Sequence, residues 1–146
     1  MILVDSNVWM YAAGSAHPHR APSQDFVRAI AGGDVHGVVD AEVLQEILHR
    51  YRAMGRWQDG RELFDLVRRI APEVLPVTGE VLDQARSLLD GHAHLSARDA
   101  LHAAVALGHG AEAICSYDRD FDAIPGLARI TPDDWRDEGT TASHHS

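Results

Sequence analysis

Residues 1–7 read MILVDSN, an apolar run of four residues followed directly by an acid. Such a run predicts a short buried strand, which places Asp5 at the carboxyl end of that strand. Residues 113–118 read AICSYD and repeat the pattern, with Asp118 just beyond the apolar segment. Because open α/β sheets build their sites at the carboxyl ends of their strands, we expect these two carboxylates to contribute to one site.

The rest of the chain alternates between strand and helix patterns. Pro76 places one of the further strands at a sheet edge, since proline cannot donate to a central ladder. Strands interleaved with helices predict an α/β fold with a mostly parallel sheet that is covered on both faces. The further strands are predicted at residues 35–39, 74–77 and 127–130, and the helices at residues 8–11, 23–30, 42–52, 57–70, 78–89 and 96–106.

The length and composition indicate one globular domain. The chain has 146 residues, 45% of them apolar, which is enough for a substantial core. We assign this domain to residues 1–136 and expect the polar residues 137–146 to form a disordered tail. The single cysteine, Cys115, lies in an apolar run and is expected to be a core residue in a reducing compartment. The sequence shows no long apolar segment and no signal-peptide pattern, so we expect a cytoplasmic protein without a membrane partner.

The charge balance argues against a nucleic-acid partner unless a metal ion is present. Thirteen basic residues face 22 acidic ones, a formal net charge of −9, whereas nucleic-acid-binding proteins normally carry a basic surface. Bound cations would reverse the local sign if several carboxylates were metal ligands. All basic residues in the stretch 50–69 are arginines, and they include Arg50 and Arg52. This stretch is either a solvated helical face or a track for an RNA backbone, and in the second case these two arginines are candidate substrate-binding residues.

Two further acids fall inside helical patterns. Glu46 lies between apolar neighbours, where a purely solvated glutamate is not expected, although Glu42 in the first turn of the same helix competes for its role. Asp99 ends the sequence SARD at residues 96–99, which also resembles a capping box. Asp5 could itself cap the first helix, but Asn7 could take that role and leave Asp5 free.

Oxygen ligands of this kind suit Mg²⁺ or Mn²⁺, and through such an ion they suit phosphodiester hydrolysis by an activated water. Four carboxylates without a metal would repel one another and raise one another's pKa values. We therefore expect the metal-free site to be loosened or partly protonated. Asp118 could instead be an ordinary turn aspartate, but residues 118–122 hold three acids, which is dense for a plain turn.

Four segments together resemble the PIN-domain ribonucleases, and the small size resembles the toxin half of VapBC toxin-antitoxin modules. Residues 1–7 resemble the family's opening strand and acid, and VLQEIL at 43–48 resembles its glutamate helix. DALHAA at 99–104 resembles its second acidic helix, and SYDRDF at 116–121 its last acid. The resemblance covers the chain from residue 1 to about residue 132.

The resemblance implies a single three-layer α/β domain with five strands in the order 3-2-1-4-5. It also implies Mg²⁺-dependent cleavage of RNA, tRNA or ribosomal RNA in particular, with Mn²⁺ able to substitute. A cognate VapB-like antitoxin and a second copy of the chain are the implied protein partners. The residues that match the family's catalytic metal ligands are Asp5, Glu46, Asp99 and Asp118, with Asp120 as an auxiliary ligand and Asn7 as a nearby polar residue that contacts the substrate.

Two departures from the family pattern concern the glutamate helix. Asp40 stands where small hydroxyl residues are common, and Glu42 adds an acid near Glu46. Among other classes, a phosphoacceptor receiver domain needs a lysine, which this chain lacks, and haloacid-dehalogenase-like phosphatases carry a second aspartate where this chain has Asn7. One alternative stays open, a non-catalytic PIN-fold module that binds RNA or a protein partner.

Overall fold

The structure, a computed structural model, describes residues 1–136 and contains one five-stranded sheet in the order β3-β2-β1-β4-β5. Each neighbouring pair of strands is parallel. Both the α/β class and the strand order are therefore as predicted, and the predicted tail at residues 137–146 lies outside the described residues. The strands are β1 (Ile2–Val4), β2 (Gly37–Asp40), β3 (Val74–Leu75), β4 (Ala113–Cys115) and β5 (Arg129–Ile130).

Helices connect the strands and cover both faces of the sheet. They are α1 (Ser6–Ala13), α2 (Arg20–Ala31), α3 (Ala41–Ala53), α4 (Trp57–Ile70), α5 (Gly79–Gly91) and α6 (Ala97–Gly108). A 3₁₀ helix at Arg119–Ala123 follows β4, and residues 132–136 are again helical. Within the described residues, no helix has the length and apolar character needed to cross a membrane.

Most predicted bounds differ from the observed ones by one or two residues, and two differences are larger. The helix predicted at 23–30 begins at Arg20, because Pro22 falls in its first turn, where the missing N–H of proline costs no hydrogen bond. The segment after β4, for which an ordinary turn was the alternative interpretation, is the 3₁₀ helix Arg119–Ala123, and Asp118 caps it by accepting the N–H of Asp120 at 2.9 Å. By contrast, α4 has the predicted bounds.

Alternation along the strands divides the core into two layers. Leu3 packs in the cluster under α5 and α6, whereas Val4 packs in the cluster under α1 to α4, as expected for successive residues of a strand. In β4, Ile114 joins the first of these clusters and the buried Cys115 joins the second. The molecule therefore has three layers, with helices on both sides of the sheet.

The three central strands end at the same edge of the sheet. Val4 pairs with Cys115, so Asp5 and Ser116 are the next residues on adjacent strands. Asp40 is the last residue of β2, on the other side of β1. We call this row of strand ends, formed by Asp5, Asp40 and Ser116, the carboxyl edge.

Candidate metal centre

The acids at the carboxyl edge fall into two adjoining groups. We call Asp5, Glu46 and His102 the histidine group, and Asp99, Asp118 and Asp120 the aspartate group. In each group, one possible ligand atom from every residue lies within 4.8 Å of the others. The charge of Asp5 also acts on Asp99, which places the two groups side by side. The structure thus brings the four predicted acids to one edge of the sheet, but not into a single cluster.

Asp5 both caps helix α1 and belongs to the candidate site. Its carboxylate is 5% exposed, and Oδ1 accepts the N–H of Ser6 at 2.8 Å, so Asp5 itself caps α1. The expectation that Asn7 would cap the helix instead was wrong. Asn7 Nδ2 donates to Asp5 Oδ2 at 3.3 Å and to Ser116 Oγ at 3.1 Å, while Ser116 Oγ donates to Asp5 Oδ2 at 2.7 Å. Capping does not exclude metal binding, since an ionised carboxylate has about four lone-pair sites.

Asp99 and Asp118 face each other across the second group. Burial, together with the hydrogen bond to Asp118 and the charge of that residue, raises the pKa of Asp99 to about 7. Only half of the predicted capping box forms: Ser96 Oγ accepts the N–H of Asp99 at 3.1 Å, whereas the Asp99 carboxyl interacts with Asp118. A carboxyl with this pKa is about half protonated near neutral pH, as expected where clustered acids have no cation between them.

Glu46, rather than Glu42, reaches the site. Glu46 Oε1 accepts a hydrogen bond from His102 Nε2 at 2.8 Å, and Oε2 accepts one from Ser6 Oγ. Burial opposes ionisation of Glu46, but the interactions with His102 and Ser6 lower its pKa overall. Glu42 belongs to neither group, and burial followed by the charge of Glu46 raises its pKa.

His102 was missed by the sequence analysis. Its side chain is 1% exposed, and Nδ1 lies 2.6 Å from Oδ2 of the fully buried Asp40. Nε2 bonds to Glu46 and lies 3.8 Å from Asp5 Oδ1. Burial lowers the pKa of His102, but the hydrogen bonds with Asp40 and Glu46 outweigh this and raise it well above its usual value. Two signals could have revealed it: residue 102 shares a helix face with residue 99, and it interrupts a run of small apolar residues.

The two predicted substrate-binding arginines lie on different surfaces. Arg50 lines a groove of about 350 Å³ that also contains Asn7 and Tyr11. Arg52 lines a separate hollow of about 620 Å³ between α3 and α4, where its guanidinium lies 5.5 Å from the ring centroid of Trp57. Arg50 therefore shares a surface with a residue of the site, and Arg52 faces another part of the molecule.

The donor atoms fit a hard divalent cation. The aspartate group and Asp5 offer carboxylate oxygens, the ligand type that Mg²⁺ and Mn²⁺ prefer, and burial followed by the interactions with Asp118 and Asp5 raises the pKa of Asp99. His102 is the one nitrogen donor in either group, and both of its nitrogens already bond to carboxylates. A metal ion therefore fits best on the oxygen side of the site.

Comparison with known proteins identifies the family of the chain and several of its relatives. The PIN domain family model matches residues 2–127. Ribonuclease VapC13 of Mycobacterium tuberculosis is 44% identical over 130 residues, which cover 89% of this chain and 99% of that protein. Ribonuclease VapC23 from the same species is 37% identical over 118 residues, which cover 81% and 93%.

Solved structures show the same fold at lower identity. The crystal structure of Mycobacterium tuberculosis VapC20, described as a Sarcin-Ricin loop cleaving toxin, has a TM-score of 0.72 at 20% identity and covers 89% of this chain and 98% of that one. The VapBC2 complex from Rickettsia felis, bound to a promoter DNA fragment, has a TM-score of 0.70 at 17% identity and covers 90% and 98%. At these identities the likeness concerns the fold alone. Together with the family match and the VapC relatives, it shows that the chain belongs to the PIN-domain family, in the group of VapC ribonucleases.

Proposed function

We propose that this protein is a Mg²⁺- or Mn²⁺-dependent endoribonuclease and the toxin of a type II toxin-antitoxin system that acts in the cytoplasm. The observation that carries the proposal is the Asp99–Asp118 pair beside Asp5, whose excess negative charge calls for a cation. The similarity to proteins named VapC ribonucleases supports RNA as the substrate, with tRNA and ribosomal RNA as the first candidates.

Asp5, Asp99 and Asp118 would hold the ion, with Asp120 as an auxiliary ligand. When bound, the ion activates water and stabilises the charge that develops on the phosphate. The surrounding residues fix these ligands. Asn7 and Ser116 orient one oxygen of Asp5, and the N–H of Asp120 orients one oxygen of Asp118. Arg50, which lines the same groove as Asn7, would contact a phosphate of the bound RNA.

Cleavage of purified tRNA and ribosomal RNA tests the proposal. We expect endonucleolytic products with Mg²⁺ or Mn²⁺, no products with EDTA, and almost none with Asp118→Asn. Asp122→Asn is the matched control, because Asp122 lies in the same 3₁₀ helix but pairs with Arg129 and belongs to neither group. RNA that binds but is never cut under any metal condition would favour the non-catalytic module instead.

The groove beside Asn7 supports a protein partner. Trp9 is buried in the core, but Met10 and Tyr11 line this groove together with the exposed Met54. A VapB-like antitoxin could place an apolar helix here and direct a basic side chain towards the acids. Co-expression with the small protein encoded next to this one tests the idea: we expect a stable complex without nuclease activity, and two proteins that purify separately would contradict it. The homodimer implied by the family resemblance stays a prediction, which the mass measured by light scattering would decide.

A further inference from the structure

His102 is unusual because both of its ring nitrogens form hydrogen bonds with carboxylates in the interior of the protein. Asp40 is fully buried and also accepts the N–H of Val43 at 2.8 Å, so this carboxylate is fixed as the cap of α3. Asp40 Oδ2 accepts a hydrogen bond from His102 Nδ1 at 2.6 Å, and Glu46 Oε1 accepts one from Nε2 at 2.8 Å. Ionised carboxylates only accept hydrogen bonds, so this arrangement requires a proton on each nitrogen and makes the ring a fixed cation.

This arrangement settles the orientation of Glu46. One of its oxygens bonds to His102 and the other to the hydroxyl of Ser6. Asp40 sets the plane of the His102 ring, as a carboxylate does behind a metal-bound histidine, although here the ring faces a glutamate. Glu46 is therefore held towards the interior by two donors.

The histidine group and the aspartate group also differ in their balance of charge. In the histidine group, the ring lies between Asp40 and Glu46 and within 3.8 Å of Asp5, so these acids already have a cation among them. In the aspartate group, three carboxylates lie with one oxygen of each within 4.8 Å of the others, and this group contains no histidine. Excess negative charge is thus concentrated on the side of Asp99 and Asp118.

We propose that His102, held by Asp40, is a positioning residue that fixes Glu46 and takes the place of a second metal ion beside Asp5. The centre then binds one divalent ion, on the side of Asp99 and Asp118. This inference rests on the proposed metal dependence, but it is independent of which RNA is cut. It also assigns Asp40 a role: the acid that departs from the family pattern supports the histidine.

Mg²⁺ titration of the wild-type protein tests the inference without any measurement of activity. Calorimetry gives the number of ions per chain, and NMR follows the hydrogen-bonded side-chain N–H protons of His102. We expect one ion per chain and His102 N–H signals that persist at saturation. Two ions per chain, or loss of these signals on Mg²⁺ binding, would overturn the inference and leave a metal-dependent nuclease intact. Absence of any Mg²⁺ binding would overturn both proposals.

Variants provide a second test. His102→Gln removes the cation and can satisfy only one of the two carboxylates, so we expect a second ion to bind, and we expect kcat to fall about 10–100-fold with little change in KM. His109→Gln is the control, because His109 follows directly after the same helix and its side chain bonds to the backbone carbonyl of Val105. One bound ion and wild-type kcat in His102→Gln would overturn the inference. If this variant does not fold, the wild-type stoichiometry and the His102 signals decide alone.

Discussion

At the scale of single residues, protons and metal ions compete for Asp99. Its carboxyl lies in the first turn of α6 and interacts with Asp118, and burial together with that neighbour raises its pKa to about 7. A ligand must lose its proton before it binds a metal ion, so metal affinity depends on pH in the range where Asp99 titrates.

We predict that Mg²⁺ binds more weakly as the pH falls through 7. The sign follows from the raised pKa of Asp99: above about 7 its carboxylate is free, and below it the proton occupies the ligand, which costs about tenfold in affinity per pH unit. Calorimetric titration between about pH 6 and pH 8 measures this. Asp99→Asn should bind more weakly at every pH and lose most of the dependence. An affinity that is the same at both ends of the range would contradict the prediction.

A second residue-scale prediction concerns Asp40. Asp40→Ala removes the cap of α3 and leaves Nδ1 of the buried His102 without a hydrogen-bond acceptor. Because the loss of one member of a buried ion pair costs about 3–5 kcal/mol, we expect the free energy of unfolding to fall by that amount. Thr78→Ala is the matched control, because Thr78 caps α5 through the same kind of bond, to Val81, without a buried partner. It should cost about 1 kcal/mol in urea denaturation. Equal losses in the two variants would show that the pair with His102 adds nothing.

The acids and the histidine differ in how far sequence could reveal them. Asp5 and Asp118 follow apolar runs, and the end of a parallel strand is a place that local pattern marks. His102 and Asp40 are 62 residues apart, and their contact depends on how closely α6 approaches the end of β2. The alanine-rich sequence around residue 102 is typical of a closely packed helix, but no local pattern says which polar group meets a buried histidine.

At the scale of elements, the hairpin of α3 and α4 depends on one glycine. A Cβ built on Gly60 would lie 2.4 Å from Cβ of Tyr51, so the two helices touch at this point. The close approach also shapes the hollow that holds Arg52 and Trp57. Sequence predicted both helices from their apolar spacing, but it gave no sign of this contact, since a glycine near the start of a helix is not unusual.

We predict that Gly60→Ala destabilises the protein by about 1–3 kcal/mol, the usual cost of overpacking, even though alanine favours helix formation. Gly79→Ala in the first turn of α5 is the control, because nothing lies within 4 Å of its added Cβ. That variant should be unchanged or more stable by about 0.4–1 kcal/mol. Denaturant midpoints of the two variants measure the difference, and a Gly60→Ala protein as stable as wild type would show that the helices can separate freely.

Elements with strong periodicity were predicted well, whereas the short 3₁₀ helix was not. The amphipathic α4 has its predicted bounds, and its end precedes Pro72, where a helix cannot continue unbroken. The 3₁₀ helix Arg119–Ala123 is only five residues long and rich in acids, so its sequence looks like a turn. Its capping by Asp118 became visible only in three dimensions.

At the scale of the whole molecule, the net charge of −9 conflicts with an RNA substrate unless the charge is unevenly placed. The exposed Arg50 lines the groove that begins at Asn7, and a cation among the acids would extend this favourable region into the site. The strand order of the sheet could not be derived from periodicity, which identifies strands but not their neighbours. It came from the resemblance of four spaced segments to a known family, and the structure confirms it.

We predict that Arg50→Ala weakens RNA binding and makes it less sensitive to salt. Loss of one phosphate contact should lower the slope of log affinity against log salt by about one. The assay uses the Asp118→Asn background, which prevents cleavage during fluorescence anisotropy. Arg86→Ala is the control, since Arg86 is exposed on α5 and pairs with Asp90. If both arginine variants bind RNA equally well, the groove is not the path of the RNA.

The most direct test of the central claim is RNA cleavage by Asp5→Asn beside the wild type, with and without Mn²⁺. Asparagine has nearly the shape of aspartate, and its one carbonyl oxygen can still accept the N–H of Ser6 and cap α1, so the fold should persist although the bond from Ser116 to the other oxygen is lost. We expect wild-type cleavage that requires Mn²⁺, and a loss of at least about 100-fold in the variant, since groups behind the metal ligands already account for 10–100-fold. Equal cleavage by the variant, or cleavage by the wild type without any divalent ion, would contradict a metal centre built on these acids.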